Sequence, residues 1–181
     1  TGEALKPWVE AGHDCYAFDI QHKDTKVEYA NGSFIRYEGL DLYDGDNIRG
    51  LLSRFYRRNV VFGMAFPVCT DLAVSGAAWF KKKAEANPWF QDEAVNHAMT
   101  CARFYEDLGV PYFIENPVSV LATKWRKPDY SFHPYEYGGY IEDDAAEHPR
   151  WPEYIAPRDA YKKKTCLWTG NNFRMPTKVS V

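Results

Sequence analysis

The chain has 181 residues, of which 45% are hydrophobic and 26% are charged, proportions typical of a globular protein that can bury a sizeable core. The formal net charge of −3 excludes a global basic field of the kind that attracts nucleic acid. Four widely spaced cysteines argue against a zinc ribbon or a disulfide scaffold, and no apolar run is long enough to span a membrane. We expect a single cytoplasmic domain, 1–181, whose oligomeric state stays open.

The first third of the chain alternates helical and extended patterns. A helix that stops at Gly12 is followed by a strand that ends at Asp19, the order found in the second half of a β-α-β nucleotide-binding unit. In such a unit the acid accepts hydrogen bonds from ribose hydroxyls. The strand before that helix is absent, so either a first strand is missing or this is not that unit. A polar loop at 21–34, a short strand at 34–40 and an amphipathic helix at 46–58 are predicted to follow.

Two later strands end in side chains that can do chemistry. The apolar run 60–65 predicts a buried strand that stops at Pro67, and Cys69 lies just beyond it. The run 110–117 repeats this pattern and ends in Glu115, Asn116 and a proline. Because ligands bind at the carboxyl ends of strands in open α/β sheets, we expect Cys69 and Glu115 to line one cleft, roughly 10 Å apart or closer.

The remaining segments complete a mostly parallel α/β pattern. Helices are predicted at 73–83 and at 92–108, where His97 and Cys101 lie four residues apart on one stripe. A packed core face explains that pair, so no metal site is predicted. An aromatic, proline-rich loop at 125–160 is long enough to suggest a functional role over the site, and a last strand follows at 161–168. The order predicts a mostly parallel sheet with helices on both faces.

Four segments in a fixed order carry a family resemblance: AFPVCTDLAVSGAAWF at 65–80, IENPV at 114–118, WRKPD at 125–129 and KKTCLW at 163–168. Over residues 2–169 the sequence resembles compact cytosine-C5 DNA methyltransferase-related proteins, a group often encoded by bacteriophages. The resemblance implies a Rossmann-like methyltransferase fold that is N-terminally truncated and lacks its first strand. It also implies S-adenosylmethionine as the cofactor, DNA or a related pyrimidine nucleotide as the partner, and DNA modification as the activity.

The chemistry implied by the resemblance needs a thiol and a carboxyl group. C5 of cytosine is too weakly nucleophilic to accept a methyl group until a thiolate adds to C6, which is covalent catalysis. A carboxyl group of raised pKa that pairs with N3 and the exocyclic amine stabilises the adduct. These roles fall to Cys69 and Glu115.

The resemblance also assigns residues that bind cofactor and substrate. Asp19 would hold the ribose of S-adenosylmethionine, Asp41 would lie near the adenine amino group, and Gly2 and Glu3 would lie near the methionine part. The complete predicted set is Gly2, Glu3, Asp19, Ile20, Asp41 and Pro67 for the cofactor, and Thr70, Asn116 and Lys164 for the substrate.

The sequence departs from the family pattern in two ways that leave an alternative open. Proline ordinarily precedes the cysteine, but here the residue is Val68, which permits more backbone conformations. A separate target-recognition domain, which enzymes that flip a base out of duplex DNA normally need, is also absent. The main alternative is a catalytically degenerate nucleotide- or DNA-binding protein that keeps the methyltransferase fold. A dinucleotide-dependent enzyme is a second, weaker alternative.

Overall fold

The structure is a computed structural model that describes residues 2–142, 147–148 and 150–181. The chain divides into two compact units, Thr1–Arg58 and Asn59–Val181. Each unit has a sheet of its own.

The first unit is built on a three-stranded mixed sheet. Strand β3 lies in the middle, parallel to β1 and antiparallel to β2, with Cys15 of β1 opposite Ile35 of β3. Those two side chains and Val9 are buried together and form its core. The elements in chain order are a 3-10 helix at Glu3–Leu5, α1 at Lys6–Glu10, β1 at Cys15–Phe18, β2 at Thr25–Glu28, β3 at Phe34–Glu38 and α2 at Gly45–Phe55.

Helix α2 is fixed at its start by a cap and near its end by an ion pair. The carboxylate of Asp44 accepts a hydrogen bond from the backbone N–H of Asp46 at 2.8 Å, which satisfies one free donor of the first turn. Near the other end, the Arg54 guanidinium donates to both carboxylate oxygens of Glu38 at 2.7 and 2.8 Å. The hydrogen bonds to Arg54 are the main reason that the pKa of Glu38 lies below its usual value. The pair therefore ties α2 to strand β3.

The second unit is built on a four-stranded sheet of order β4-β5-β7-β6, in which only β4 and β5 run parallel among the described strands. A 3-10 helix at Val74–Trp79 leads directly into α3. The labelled elements are β4 at Gly63–Ala65, α3 at Phe80–Ala86, α4 at Phe90–Leu108, β5 at Tyr112–Pro117, α5 at Leu121–Lys124, β6 at Tyr130–Phe132 and β7 at Thr165–Gly170.

Helix α4 packs its small side chains against one face of this sheet. Ala98 and Ala102 are buried against Tyr112, Ile114 and Trp168, which are fully buried in the same cluster. Small residues on the helix allow a close approach of these large side chains. The helix ends at Gly109, whose φ of 69° is the left-handed conformation that glycine adopts without strain.

The prediction of a mostly parallel, Rossmann-like methyltransferase sheet that lacks its first strand is wrong for this structure. There are two small mixed sheets, and each contains antiparallel pairs. Part of the predicted polar loop at 21–34 forms strand β2, which pairs antiparallel with β3. Strand β7 runs antiparallel to both of its neighbours, β5 and β6, and β6 itself comes from the predicted long loop.

The predicted loop at 125–160 contains regular structure of its own. Besides β6, it holds 3-10 helices at Pro134–Glu136, Gly138–Tyr140 and Pro157–Asp159. Residues 143–146 and 149 of this segment lie outside the described part of the chain. The short helices and β6 place aromatic side chains close to strand β7.

We expect Ile114→Ala to lower the free energy of unfolding by about 2–5 kcal/mol, because it removes a fully buried side chain from the centre of a packed core. Val118→Ala is the control, since that side chain is 40% exposed and its loss should cost about 0.5 kcal/mol or less. Urea unfolding followed by circular dichroism measures both. Equal effects of the two substitutions would contradict the described core.

Candidate functional site

The parallel pair of strands β4 and β5 brings two chain segments to one sheet edge. Met64 pairs with Phe113 and Ala65 with Ile114, so the chain leaves β4 towards Cys69 at the edge where β5 reaches Glu115. Parallel strands share the direction in which they end. The Cys69 segment therefore follows β4, and the predicted acid Glu115 lies within β5, the parallel neighbour of β4 in the same unit.

Asn116 connects these two segments directly. Its side chain is 1% exposed, and its amide Nδ2 donates a hydrogen bond to the carbonyl oxygen of Pro67 at 3.1 Å. Beyond it, the segments pair through backbone hydrogen bonds from Val74 N–H to the Val118 carbonyl and from Val120 N–H to the Leu72 carbonyl. Contacts therefore hold the Cys69 loop against the end of β5 on both sides of the cysteine.

Cys69 is the exposed cysteine of the chain, whereas Cys15, Cys101 and Cys166 are buried. Its backbone carbonyl accepts hydrogen bonds from the N–H groups of Leu72 and Ala73 at 3.0 and 2.8 Å. These bonds form a tight turn just after the strand, which leaves the thiol accessible to reagents. Accessibility is a requirement for a thiol that acts as a nucleophile.

The loop after Cys69 is attached to helix α3 through Lys83. The Lys83 ammonium donates to the Asp71 carboxylate at 2.6 Å and to the Thr70 carbonyl at 2.9 Å. Thr70 itself is exposed. The ion pair thus fixes the backbone on the far side of Cys69 while leaving the Thr70 side chain accessible.

Glu115 is half-buried on the sheet face opposite the α4 core. Side chains alternate along a strand, so Ile114 and Asn116 point towards the core and Glu115 points to the other face, beside its cross-strand partner Leu167. Burial raises the pKa of the Glu115 carboxyl, and the positive charge of Lys163 opposes that rise. Its environment therefore favours the protonated form more than water does.

The same face carries a group of aromatic rings next to Glu115. The ring of Phe113 lies 5.9 Å, between centroids, from each of Phe62, Phe66 and Phe173. Phe66 is 56% exposed although it belongs to this group. An apolar face that carries one acid and an exposed ring can accept a planar, polar ligand.

The predicted substrate residues have different positions. Asn116 is buried and its amide is bonded to the Pro67 carbonyl, so it holds the loop and does not face solvent. Lys164 is exposed, but the lysine whose charge acts on Glu115 is its neighbour Lys163. Sequence reasoning missed Lys163, although the run of three lysines just before a predicted strand was the available signal.

Three predicted cofactor residues lie at one edge of the first unit's sheet. Asp19 and Ile20 follow β1 and Asp41 follows β3, and the two turns are joined by a hydrogen bond from the Leu40 N–H to the Asp19 carbonyl at 3.3 Å. Each aspartate already accepts one local backbone hydrogen bond through Oδ1, from Gln21 or Tyr43. Both side chains are exposed, which leaves carboxylate oxygen available to a ligand's hydroxyl or amino group.

The remaining predicted cofactor residues are Gly2, Glu3 and Pro67. Gly2 adopts a φ of 79°, and a Cβ there would collide with the Tyr37 hydroxyl, so glycine is required for that contact. The carboxylate of Glu3 pairs with Lys6 at 2.8 Å. Pro67 belongs to the second unit, where it is buried and its carbonyl is bonded to Asn116.

His97 and Cys101 lie on α4, with 4.0 Å between His97 Nε2 and Cys101 Sγ. Burial raises the pKa of the Cys101 thiol to about 11, as expected for a thiol in a packed core. Within the described residues, no group of three or more His, Cys, Asp or Glu side chains is arranged to hold a metal ion. The same part of the chain contains no helix long and apolar enough to cross a bilayer.

Comparison of the chain with protein-family models, with curated proteins and with solved structures found no match. A function for this chain therefore has to be argued from the geometry of the β4–β5 edge.

Because Cys69 alone is exposed among the four cysteines, we expect iodoacetamide to alkylate a single thiol in the folded protein at pH 8. Peptide mapping by mass spectrometry should locate the label at Cys69, and Cys69→Ser should abolish it. Denaturation in urea provides the positive control, since all four thiols should then react. Native-state labelling of Cys101 or Cys166 at a comparable rate would contradict the described burial.

The raised pKa of Glu115 also predicts how stability depends on pH. Between the unfolded-state pKa near 4.5 and the higher folded-state pKa, the folded protein binds more protons, so this group's contribution to stability falls as pH rises. Glu115→Gln removes this penalty. The variant should therefore gain stability relative to the wild type between pH 4 and pH 7 in urea unfolding. Glu85→Gln, at an exposed helix position, is the matched control, and an equal gain there would contradict the assignment.

Proposed function

We propose that the chain transfers a methyl group from S-adenosylmethionine to C5 of a cytosine in DNA or in a related pyrimidine nucleotide. The observation that carries this proposal is that an exposed thiol follows β4 while a half-buried acid lies on β5, the parallel neighbour of β4 in the sheet. Asn116 supports it by bonding the two segments together. The proposal depends on this local geometry and does not require a Rossmann-like sheet.

In the proposed reaction, the Cys69 thiolate forms a bond to C6 of the pyrimidine, and electron density moves into the ring. The protonated Glu115 carboxyl donates a hydrogen bond to N3 and stabilises the charge that develops there. Burial of Glu115 is suited to this role because it keeps a proton on the carboxyl at higher pH than water would. C5 would then take the methyl group, with S-adenosylhomocysteine as the leaving group. Loss of the C5 proton to a solvent base and departure of the thiolate would restore the aromatic ring.

S-adenosylmethionine, when bound, would supply the electrophilic methyl group. The exposed carboxylates of Asp19 and Asp41 fit the ribose hydroxyls and the adenine amino group of such a cofactor, because both retain accepting oxygen atoms. Gly2, Glu3 and Ile20 complete the proposed cofactor residues of the first unit, and in the second unit Thr70 offers an exposed hydroxyl to the substrate.

A second candidate is a nucleotide- or DNA-binding protein that performs no turnover. Val68, whose side chain is 55% exposed, is the observation that favours it, because valine restrains the backbone before Cys69 less than proline would. Covalent trapping distinguishes the two candidates.

The test is a single-stranded oligonucleotide that carries 5-fluorocytosine, incubated with the protein and S-adenosylmethionine. Fluorine at C5 blocks the final elimination, so an active enzyme should accumulate a covalent protein–DNA adduct that is visible by mass spectrometry. Cys69→Ser should abolish the adduct, and Glu115→Gln should slow its formation by about 10²-fold or more because it removes the proton donor.

Glu85→Gln controls for the loss of an exposed carboxylate outside strand β5 and the Cys69 loop, and it should form the adduct at the wild-type rate. Absence of any adduct under conditions in which the wild type binds the oligonucleotide would reject methyl transfer in favour of the binding protein. An adduct that persists in Cys69→Ser would reject the assigned nucleophile.

A further inference from the structure

An open groove of about 330 Å³ lies on the second unit, between the 3-10 helices that follow β6 and the segment that leads into β7. Its volume is in the range of small-ligand sites. The side chains that matter here are two aromatic rings from the first segment, an acid, and three residues before and within β7: Phe132, Tyr137, Asp159, Tyr161, Lys163 and Thr165.

The groove adjoins Glu115 on the same sheet face. Thr165 pairs across the sheet with Pro117 and with Phe132, and Leu167, two residues further along β7, pairs with Glu115. Residues that pair across strands, and residues two apart along one strand, lie on the same face of a sheet. The groove therefore begins at the row of paired residues next to the one that contains Glu115.

Lys163 connects the groove with the surroundings of Glu115. It lines the groove, and its charge is the one that acts on the Glu115 carboxyl. A ligand with one ring at Glu115 and another in the groove would therefore lie within reach of the Lys163 charge. A negative charge on such a ligand would be most favourable beside Lys163.

The opposite wall of the groove is held in an uncommon backbone conformation. Arg158 and Asp159 adopt φ values of 57° and 51°, which few residues other than glycine adopt. Gly138 packs against the Arg158 carbonyl so closely that a Cβ would collide with it. Strained residues that surrounding contacts hold in place are common at ligand sites.

Charge within the groove orients a ligand further. The Asp159 carboxylate disfavours a phosphate among the aromatic rings and favours the amino or N–H groups of a nucleobase. The Lys163 ammonium, whose charge also acts on Glu115, favours a phosphate beside it. The aromatic part of the groove therefore suits a base, and the position beside Lys163 suits a phosphodiester.

We propose that this groove binds the base that neighbours the target pyrimidine in a single nucleic-acid strand, with the connecting phosphodiester at Lys163. This inference rests on the proposed function for the position of the target base, and it adds the substrate class: a strand of two or more nucleotides. Aromatic stacking combined with a nearby cation is the usual way in which proteins hold unpaired strands.

Binding of a fluorescein-labelled trinucleotide with a central cytosine, measured by anisotropy, tests the proposal against dCMP as an unlabelled competitor. The trinucleotide should bind at least tenfold more tightly than dCMP. Lys163→Ala should weaken trinucleotide binding about tenfold and reduce the slope of log affinity against log salt by about one. Lys162→Ala, an exposed neighbour that does not line the groove, should change the affinity less than twofold.

A ring variant tests stacking separately. Tyr137→Leu should weaken trinucleotide binding about tenfold with no effect on dCMP, whereas Tyr137→Phe should bind like the wild type. If circular dichroism shows that Tyr137→Leu does not fold, the comparison of Lys163→Ala with Lys162→Ala still decides the outcome. Equal affinities for dCMP and the trinucleotide, or equal effects of Lys163→Ala and Lys162→Ala, would overturn the proposal.

Failure of this inference and failure of the proposed function give different results. If a 5-fluorocytosine adduct forms but trinucleotide binding does not depend on Lys163, methyl transfer is supported and the proposed role of the groove is rejected. Strand binding that depends on Lys163 without any adduct would support the groove and reject methyl transfer.

Discussion

The alternation of side chains along strand β5 is the constraint on which the second unit depends. This strand is hydrogen-bonded on both sides, to β4 and β7, so a shift of one residue would move every side chain to the opposite face. The fully buried Tyr112 and Ile114 fix the register against α4. Once they are buried, Glu115 must point to the other face, and Asn116 must return to the buried side, where its amide reaches Pro67.

Placing an acid on a partly buried sheet face has an electrostatic consequence for the proposed site. Burial raises the pKa of Glu115, and Lys163 reduces that rise. A phosphodiester at Lys163 would neutralise the opposing charge, so the proposed substrate would itself strengthen protonation of the acid. Binding and proton donation are thereby coupled through one lysine, and a free base without a phosphate would lack this effect.

Sequence patterns predicted the helices and strands that have a strong hydrophobic periodicity. They failed for the strands whose position depends on pairing with another strand. The positions of β1, β3, α2, α4 and β5 agree with the predictions within a few residues, since each buries a regular set of side chains. Strand β2 was missed because all four of its residues are exposed and its pairing with β3 leaves no hydrophobic pattern. Neither the antiparallel pairing of β7 with β5 nor the place of Lys163 in the groove could be predicted, because residue spacing does not indicate strand direction and β6 lies inside a segment predicted to be a loop.

The backbone at Val68 is more restricted than the replacement of proline by valine would suggest, because hydrogen bonds hold the residues on both sides of it. The Pro67 carbonyl is bonded to Asn116, and the Cys69 carbonyl accepts hydrogen bonds from two following N–H groups. Proline at position 68 would restrict one φ angle, whereas these contacts restrict the residues on either side. The backbone freedom gained with Val68 is therefore confined to a single residue between two anchored carbonyls. The Asn116 amide therefore links the loop that carries the proposed nucleophile to the strand that carries the proposed acid.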